Sequence, residues 1–262
     1  MKIIDTHMHY GTDPTVASET CTPYLRAGDP DSVIRCLDEQ GALMGMLFPH
    51  DRPVNPPVDN DYTQANNAVA EAVEKYPERI IGVCRINPMF GAEKTRAMID
   101  HYARNYGFRG IKLVASYDHY RSSDVRVLAP VFEKAEEHNM TVLFHSGDNH
   151  RDMPSLQAQV AKAFPNVNIV LAHIGGHTGL WECIYACLEH SNIYVDMAQA
   201  WPYDIKIFIK EVGIDRITYG SDVPYQSTAV EQLKLHVIGL SEEDKEKVFW
   251  KNAARIWRLD VS

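Results

Sequence analysis

Short apolar runs with the look of strands alternate eight times with stretches of helical spacing, and this alternation restricts the fold more than any other feature of the chain. The strand-like runs cover residues 3–10, 43–48, 80–86, 110–115, 141–145, 168–173, 193–196 and 216–220. Helical spacing follows at residues 31–40, 60–76, 92–106, 125–138, 155–164, 180–190, 204–212 and 229–238. In the second of these Ala65, Val69, Val73 and Tyr76 make an apolar stripe that Pro77 ends. Several runs are continuously apolar, as strands of a parallel sheet covered on both faces should be. Eight strand–helix units predict a (β/α)8 TIM barrel, an α/β fold, in one domain spanning residues 1–262. A doubly wound open sheet is the alternative, but the first strand-to-helix turn lacks the Gly-x-Gly-x-x-Gly pattern that fold uses for dinucleotides. A length of 262 residues, 45% hydrophobic, is enough for a full core and by itself fits two small domains as well, so the alternation has to decide. A last helix over residues 241–259, started by Ser241 with Asp244 three positions on, is expected to cover the outside of the barrel.

The first strand carries His7 and His9. Side chains alternate along a strand, so these two imidazoles share one face about 7 Å apart at Cα, close enough to reach one ion. A His-x-His pair alone is weak, since short motifs match by chance. In a barrel, however, the C-terminal ends of all strands converge on one mouth, where the chemistry sits. The fourth strand delivers Lys112 there, the fifth His145, the sixth His173 and the eighth Asp222. Each is a candidate metal ligand or proton carrier, and independent strands supplying such groups at the same end is what accident does not explain.

Loops at the same end carry Tyr24, Arg26, His50, Arg52, Arg85, Tyr117, His119, Tyr120, Arg121, Tyr203 and Tyr225. On a chain of formal charge -9, arginines near the mouth suggest a substrate with a carboxylate. Arg85, Lys112, His50 and Tyr225 are the predicted substrate-binding residues, and the Pro-rich stretch after His50 is either a lid or a rigid connector. The negative charge argues against nucleic acid and against an anionic membrane as partners. Apolar runs such as residues 43–48 and 169–172 fall far below the ~18 residues of a membrane span. With Lys2 leading straight into a strand, a cytoplasmic location is expected. The partner is then a small-molecule substrate, with a homodimer as the open alternative to a monomer. Five irregularly spaced cysteines do not form a disulfide framework. Cys183 and Cys187, with His190 on the same flank, are read as buried apolar residues rather than as a metal site.

The ordered motifs "IDTHMH", "RGIKL", "LFHSG", "LAHIGG", "YGSDVP" and a closing "NAARIWRL" around Asn252 and Arg255 resemble the amidohydrolase superfamily along the whole chain, in particular its branch of short barrels that includes aminocarboxymuconate-semialdehyde and resorcylate decarboxylases. The resemblance implies a divalent metal, commonly zinc, held by His7, His9, His145 and Asp222, with His173 beside it as acid or base. Neutral imidazoles and one carboxylate without cysteine suit Zn²⁺, whose bound water has a pKa lowered to about 7. Asp222 would take that water's proton and His173 would steady the oxyanion or protonate the leaving group. One ion is favoured. Two are expected only if Lys112 is carboxylated and bridges them, with His145 and His173 on the second; otherwise His145 stays on the first and the Lys112 ammonium pairs with Asp222 or with a substrate carboxylate. Many relatives follow "GIKL" with a histidine, where this chain has Val114 and Ala115.

The first functional expectation is a metal-dependent hydrolase of an amide, lactone or cyclic ester, because decarboxylating relatives tend to be longer chains. The alternative is a non-oxidative decarboxylase of an aromatic or unsaturated acid, and a third reading is a catalytically silent metal-binding barrel.

Overall fold

In the computed structural model of the chain the described residues are 1–11, 29–50, 61–176 and 178–261. They contain the strands β1 (Ile4–Tyr10), β2 (Met44–Pro49), β3 (Ile80–Arg85), β4 (Gly110–Leu113), β5 (Thr141–Phe144), β6 (Ile169–Leu171), β7 (Ile193–Asp196) and β8 (Ile217–Thr218). The helices between and after them are α1 (Pro30–Glu39), α2 (Thr63–Lys75), α3 (Ala92–Tyr106), α4 (Val125–Glu137), α5 (Pro154–Ala163), α6 (Leu180–Glu189), α7 (Pro202–Val212) and α8 (Thr228–Val237). Local chemistry sets several of the starts. Asp29 accepts the Asp31 N–H at 3.1 Å ahead of Pro30 in α1, and Asp124 accepts the Arg126 N–H at 3.1 Å to cap α4.

The strands pair in parallel in the order β1 to β8. Closure follows from backbone bonds between the last strand and the first: Thr6 N–H to Tyr219 O at 3.1 Å, Asp222 N–H to His7 O at 2.8 Å and His9 N–H to Val223 O at 2.8 Å. The predicted (β/α)8 barrel is therefore the fold, and closure leaves no unpaired edge between β8 and β1. Alternation along each strand then divides the apolar residues. In β5, Leu143 points into the barrel with Ile4, Met46, Val83 and Val170, while Val142 and Phe144 pack outward against the helices. Cys36, Cys84, Cys183 and Cys187 are free thiols buried in the outer layer, as read from the sequence. Among the described residues no helix is long and apolar enough to cross a membrane.

The end of the chain departs from expectation. Ser241 does accept the Asp244 N–H at 3.1 Å and opens α9 (Glu242–Glu246), but a π-helical turn at Lys247–Lys251 redirects the chain into α10 (Asn252–Ile256). Ala253, Ile256 and Trp257 pack into the barrel interior instead of covering its outside. The Trp257 ring lies against Gly110 at the start of β4, and the Ile256 carbonyl accepts Thr141 Oγ1 at 2.8 Å and Asn168 Nδ2 at 2.7 Å. These contacts are all at the N-terminal ends of the strands. An open barrel floor would leave Ile4 and Val83 against water, and the terminal segment covers it.

Trp257→Ala should lower the unfolding free energy by about 3–5 kcal/mol, because it removes a fully buried ring from a packed floor; urea unfolding measures this. Glu231 on α8 supplies a second test. It is fully buried, its Oε1 accepts Lys234 Nζ at 2.5 Å, and its Oε2 has no hydrogen-bond partner among the described residues. Burial outweighs the lysine and pushes its carboxyl up from 4.5 to about 7. The folded state thus holds a proton that the unfolded state releases, so this stabilising contribution is complete below the unfolded value and lost as pH rises through about 7. Glu231→Gln should abolish a stability loss of about 3 kcal/mol across that window, read from unfolding curves of both proteins at each pH.

Candidate active site

The geometry of the mouth begins with an irregularity in β1. Asp5 pairs with Gly45 and Met8 with Leu47, so three steps on β1 match two on β2 and the strand bulges. Asp5 fills the bulge, its Oδ1 accepting the His7 N–H at 3.2 Å and the Ser221 N–H at 2.9 Å. The extra residue resets the alternation. Ile4 at the floor and both His7 and His9 at the mouth consequently face inward, and the two imidazoles lie edge-on to Phe48 at 5.1 and 4.7 Å.

Both histidines meet Asp222. His7 Nε2 is 3.1 Å and His9 Nε2 3.0 Å from Asp222 Oδ1, and Gln199 Nε2 donates to Asp222 Oδ2. On its other side His7 Nδ1 contacts Asp196 Oδ2 at 2.8 Å, while Asp196 Oδ1 accepts the N–H groups of His173 and Ala198 at 3.0 and 3.1 Å. The His173 Nδ1–H donates to Ala198 O at 3.0 Å, and its ring centre is 4.9 Å from that of His7. Lys112 Nζ is 3.5 Å from His7 Nε2 and 4.8 Å from the centre of the Phe48 ring. His7, His9, Asp196, Asp222 and Lys112 are all at most 1% exposed.

Three of the turns here hold four non-glycine residues in left-handed backbone: His173 at φ 62°, Ile174 at 50°, Gln199 at 59° and Asp222 at 58°. Such conformations cost about 1–3 kcal/mol each, and a β-branched isoleucine is the most unusual of them. They are why β6 ends at Leu171 although apolar residues continue to Ala172 and Ile174.

The electrostatics favour positive charge at the centre of this group. For His7, burial and Lys112 push the imidazole pKa down, but Asp196 and Asp222 prevail and lift it to about 9. Burial would raise Asp222, yet His7 and the bonds from His7 and His9 hold it well below the carboxylate range. Burial lowers His173 to about 4, against the pull of Asp222. A proton on His7 offsets part of the charge of two buried carboxylates, and a divalent cation among the same atoms would replace it. The donors fit that role. One ligand atom each from His7, His9 and Asp222 lies within 4.8 Å of the others, while His145, the fourth predicted ligand, is not part of that group and has its ring centre 5.2 Å from that of His173. Asp196 holds the far nitrogen of His7, the position of a group that orients a ligand.

The cavity above these residues holds about 330 Å³ and is lined by His9, His145, His173, Asp222, Gln199, Asp148, Asn149, Ser116, Tyr117 and Tyr225. Among the predicted residues, Tyr225 lines it and donates to or accepts from His50 Nδ1 at 3.1 Å, while His50 Nε2 is 2.9 Å from Gly11 O. Arg85 does not line it. Its guanidinium is fully buried, 2.7 Å from Asp118 Oδ2, 2.9 Å from Ile86 O and 3.1 Å from Tyr62 Oη, so its donors are turned to internal partners. Tyr203 is exposed on α7 and does not line the cavity, and Tyr120 is buried. Tyr24, Arg26, Arg52 and the Pro-rich stretch after His50 lie outside the described residues.

Asp196 and Gln199 were not anticipated. Asp196 ends β7 after Ile193-Tyr194-Val195, a strand-end carboxylate of the same kind as Asp222, and that position was its signal. Gln199, Asn149 and Asp148 lie in turns, where a polar residue carries no distinguishing pattern.

A closed barrel with imidazoles and carboxylates buried at the C-terminal ends of its strands defines a metal-dependent barrel enzyme. The chain belongs to the amidohydrolase family, whose model matches residues 4–259. It is 22% identical over 334 aligned positions to the 2-keto-4-carboxy-3-hexenedioate hydratase of Sphingobium sp., covering 100% of this chain and 98% of the hydratase. It is 20% identical to the gamma-resorcylate decarboxylase of Polaromonas sp., covering 88% and 87% of the two chains. Its fold superposes on the crystal structure of 5-carboxyvanillate decarboxylase from Novosphingobium aromaticivorans, a complex with manganese, with a TM-score of 0.80 at 20% identity over 98% and 96% of the chains. These findings correct the expectation of hydrolysis. The relatives are decarboxylases and a hydratase; the hydratase is the longer chain, since 334 aligned positions exceed the 262 residues here, but this chain spans the same barrel without those extra residues, so its shortness does not mark a hydrolase.

His7→Ala should remove most bound divalent metal from a folded protein, and Asp196→Asn should weaken metal affinity about 10–100-fold by freeing the His7 ring. Elemental analysis and competition with a chelator measure both. Full occupancy in His7→Ala would contradict the site.

Proposed function

We propose that the protein is a metal-dependent, non-oxidative decarboxylase of a small aromatic or unsaturated carboxylic acid. The buried His7, His9 and Asp222 cluster under a cavity of about 330 Å³ carries this reading, since that volume suits a single substituted ring. The length-wide matches to decarboxylases support it. Zinc and manganese both suit imidazole and carboxylate donors, and manganese is favoured by its presence in the N. aromaticivorans enzyme.

When bound, the ion would hold substrate oxygens and accept the charge that develops as the carbon–carbon bond breaks. The chain's own groups handle the proton. Asp222 is a carboxylate before substrate arrives, so the proton it delivers is first taken from an acidic hydroxyl of the substrate or from water. The bond to the carboxylate breaks, its electron pair stays on the substrate carbon, the proton fills that position and carbon dioxide leaves. His173, with Nδ1–H committed to Ala198 O, keeps Nε2 available as the second proton carrier. Tyr117, Tyr225, Ser116 and Asn149 orient the ring and its substituents by neutral hydrogen bonds.

The match to the hydratase over all of this chain favours a second reading, addition of water to the double bond of an unsaturated polycarboxylate. It uses the same delivery of a proton to carbon.

A panel of hydroxybenzoates and unsaturated dicarboxylates, incubated with Mn²⁺ or Zn²⁺, separates the two. Headspace carbon dioxide stoichiometric with substrate loss supports decarboxylation, whereas loss of ultraviolet absorbance without carbon dioxide supports hydration and overturns the first reading. On the accepted substrate Asp222→Asn should lower kcat about 10²–10⁴-fold while keeping more metal than His7→Ala. Near-normal kcat with metal bound would move the proton to His173.

A further inference from the structure

Two turns supply much of the cavity lining: Ser116 and Tyr117 come from the one after β4, and Asp148 and Asn149 from the one after β5. Asp152, just ahead of α5, joins them. Its Oδ1 accepts the Ala115 N–H at 3.0 Å and its Oδ2 the Ser116 N–H at 3.2 Å. Its own N–H donates to Asn149 O at 2.8 Å and its carbonyl accepts the Gly147 N–H at 2.9 Å, so the same residue also closes the turn that carries Asp148 and Asn149. One carboxylate thus ties the backbone at Ser116 to the backbone on the far side.

Asp152 is fully buried and does not line the cavity. Burial raises its carboxyl above the usual range, while the bond from Ser116 and the nearby His145 hold it down. Only an acceptor with two oxygens takes two successive N–H groups at once, and an apolar side chain in its place would leave both unsatisfied away from water. The turn after β4 is anchored a second time, at Asp118, whose Oδ2 pairs with Arg85 Nη1 at 2.7 Å and whose Oδ1 accepts Tyr62 Oη at 3.0 Å. Ser116 and Tyr117 lie between these two anchors in the chain. Their approach to the cavity is therefore set by buried carboxylates and not by the side chains themselves.

We propose that Asp152 is a positioning residue that sets substrate specificity: by holding the N–H groups of Ala115 and Ser116 it fixes the gap between the turn that carries Ser116 and Tyr117 and the turn that carries Asp148 and Asn149, and that gap decides which ring substituents the cavity admits. This rests on the reading that the cavity takes a small substituted acid. Asp152 acts through the two turns, outside the lining itself.

Two measurements on the full chain test it. With Mn²⁺ and pairs of hydroxybenzoates that differ only by a methyl group on the ring, Asp152→Ala should change the ratio of kcat/KM within a pair about 10-fold, mostly through KM. Asp152→Asn keeps one accepting oxygen and should change it less in the same direction; if Asp152→Ala does not fold, this variant carries the comparison. A merely structural defect lowers both members of a pair alike and leaves the ratio where it was. Hydrogen exchange gives the second reading: peptides covering residues 114–118 should exchange faster in the variants, while the barrel floor at residues 253–257 should not. An unchanged ratio, unchanged exchange at residues 114–118, or faster exchange that includes the floor overturns the proposal. If the wild-type protein neither turns over nor, by calorimetry, binds any acid of the panel, the reading of the cavity fails instead, and hydrogen exchange still decides whether Asp152 fixes the turn.

Discussion

The mouth of this barrel depends on compensation of two buried carboxylates. Asp196 and Asp222 lie on opposite sides of the His7 ring, each at no more than 1% exposure, and carboxylates so far from water need a positive partner. His7 supplies one by taking up a proton, and Lys112 adds a second cation at 3.5 Å. The same charge balance suits a divalent ion among these atoms. Removing either carboxylate would leave a different net charge inside the barrel, so the candidate metal site and the electrostatic stability of the mouth are the same arrangement.

Holding that arrangement takes unusual backbone. A bulge in β1 turns His7 and His9 inward together, and left-handed residues at His173, Ile174, Gln199 and Asp222 aim the side chains of β6, β7 and β8 at one point. Strain of this kind persists where surrounding structure over-determines it. Closure between β8 and β1, and the packing of Trp257 into the floor, supply that support from the other end of the barrel. Chemistry sits at the C-terminal ends of the strands and stability at the N-terminal ends, a division the fold permits because its two faces are built from different loops.

A metal held by imidazole and carboxylate does not by itself choose a reaction. The same ion can polarise a carbonyl for attack by water or hold the oxygens of an acid that loses carbon dioxide. Hydrolysis was the reading suggested by compactness, and compactness describes the scaffold rather than the cavity. The choice lies in the groups above the metal cluster, here mostly neutral donors and aromatic rings from turns, and in the similarity of the whole chain to enzymes that act at carbon.

The barrel, the helices and the five motif-bearing strands were legible because they rest on periodicity: apolar alternation sets a strand's faces, and parallel strands bring their ends to one mouth. His7, His9, His173 and Asp222 could be placed there by that logic alone, and they do meet. Arg85 shows where it stops. Its strand ends at the mouth, but whether a guanidinium faces substrate or an internal carboxylate depends on Asp118 and Tyr62, which come from other parts of the chain. Gln199 and Asp148 were hidden for the same reason, since an acidic or amide side chain in a turn has no period to betray it, whereas Asp196 at the end of β7 carried the strand-end signal. The one-residue bulge in β1 and the inward course of the last helix likewise depend on partners distant in the chain. Short-range pattern determined which elements form and which ends converge; which polar groups pair inside, and hence which nitrogen of each histidine is left for chemistry, only the folded barrel decided.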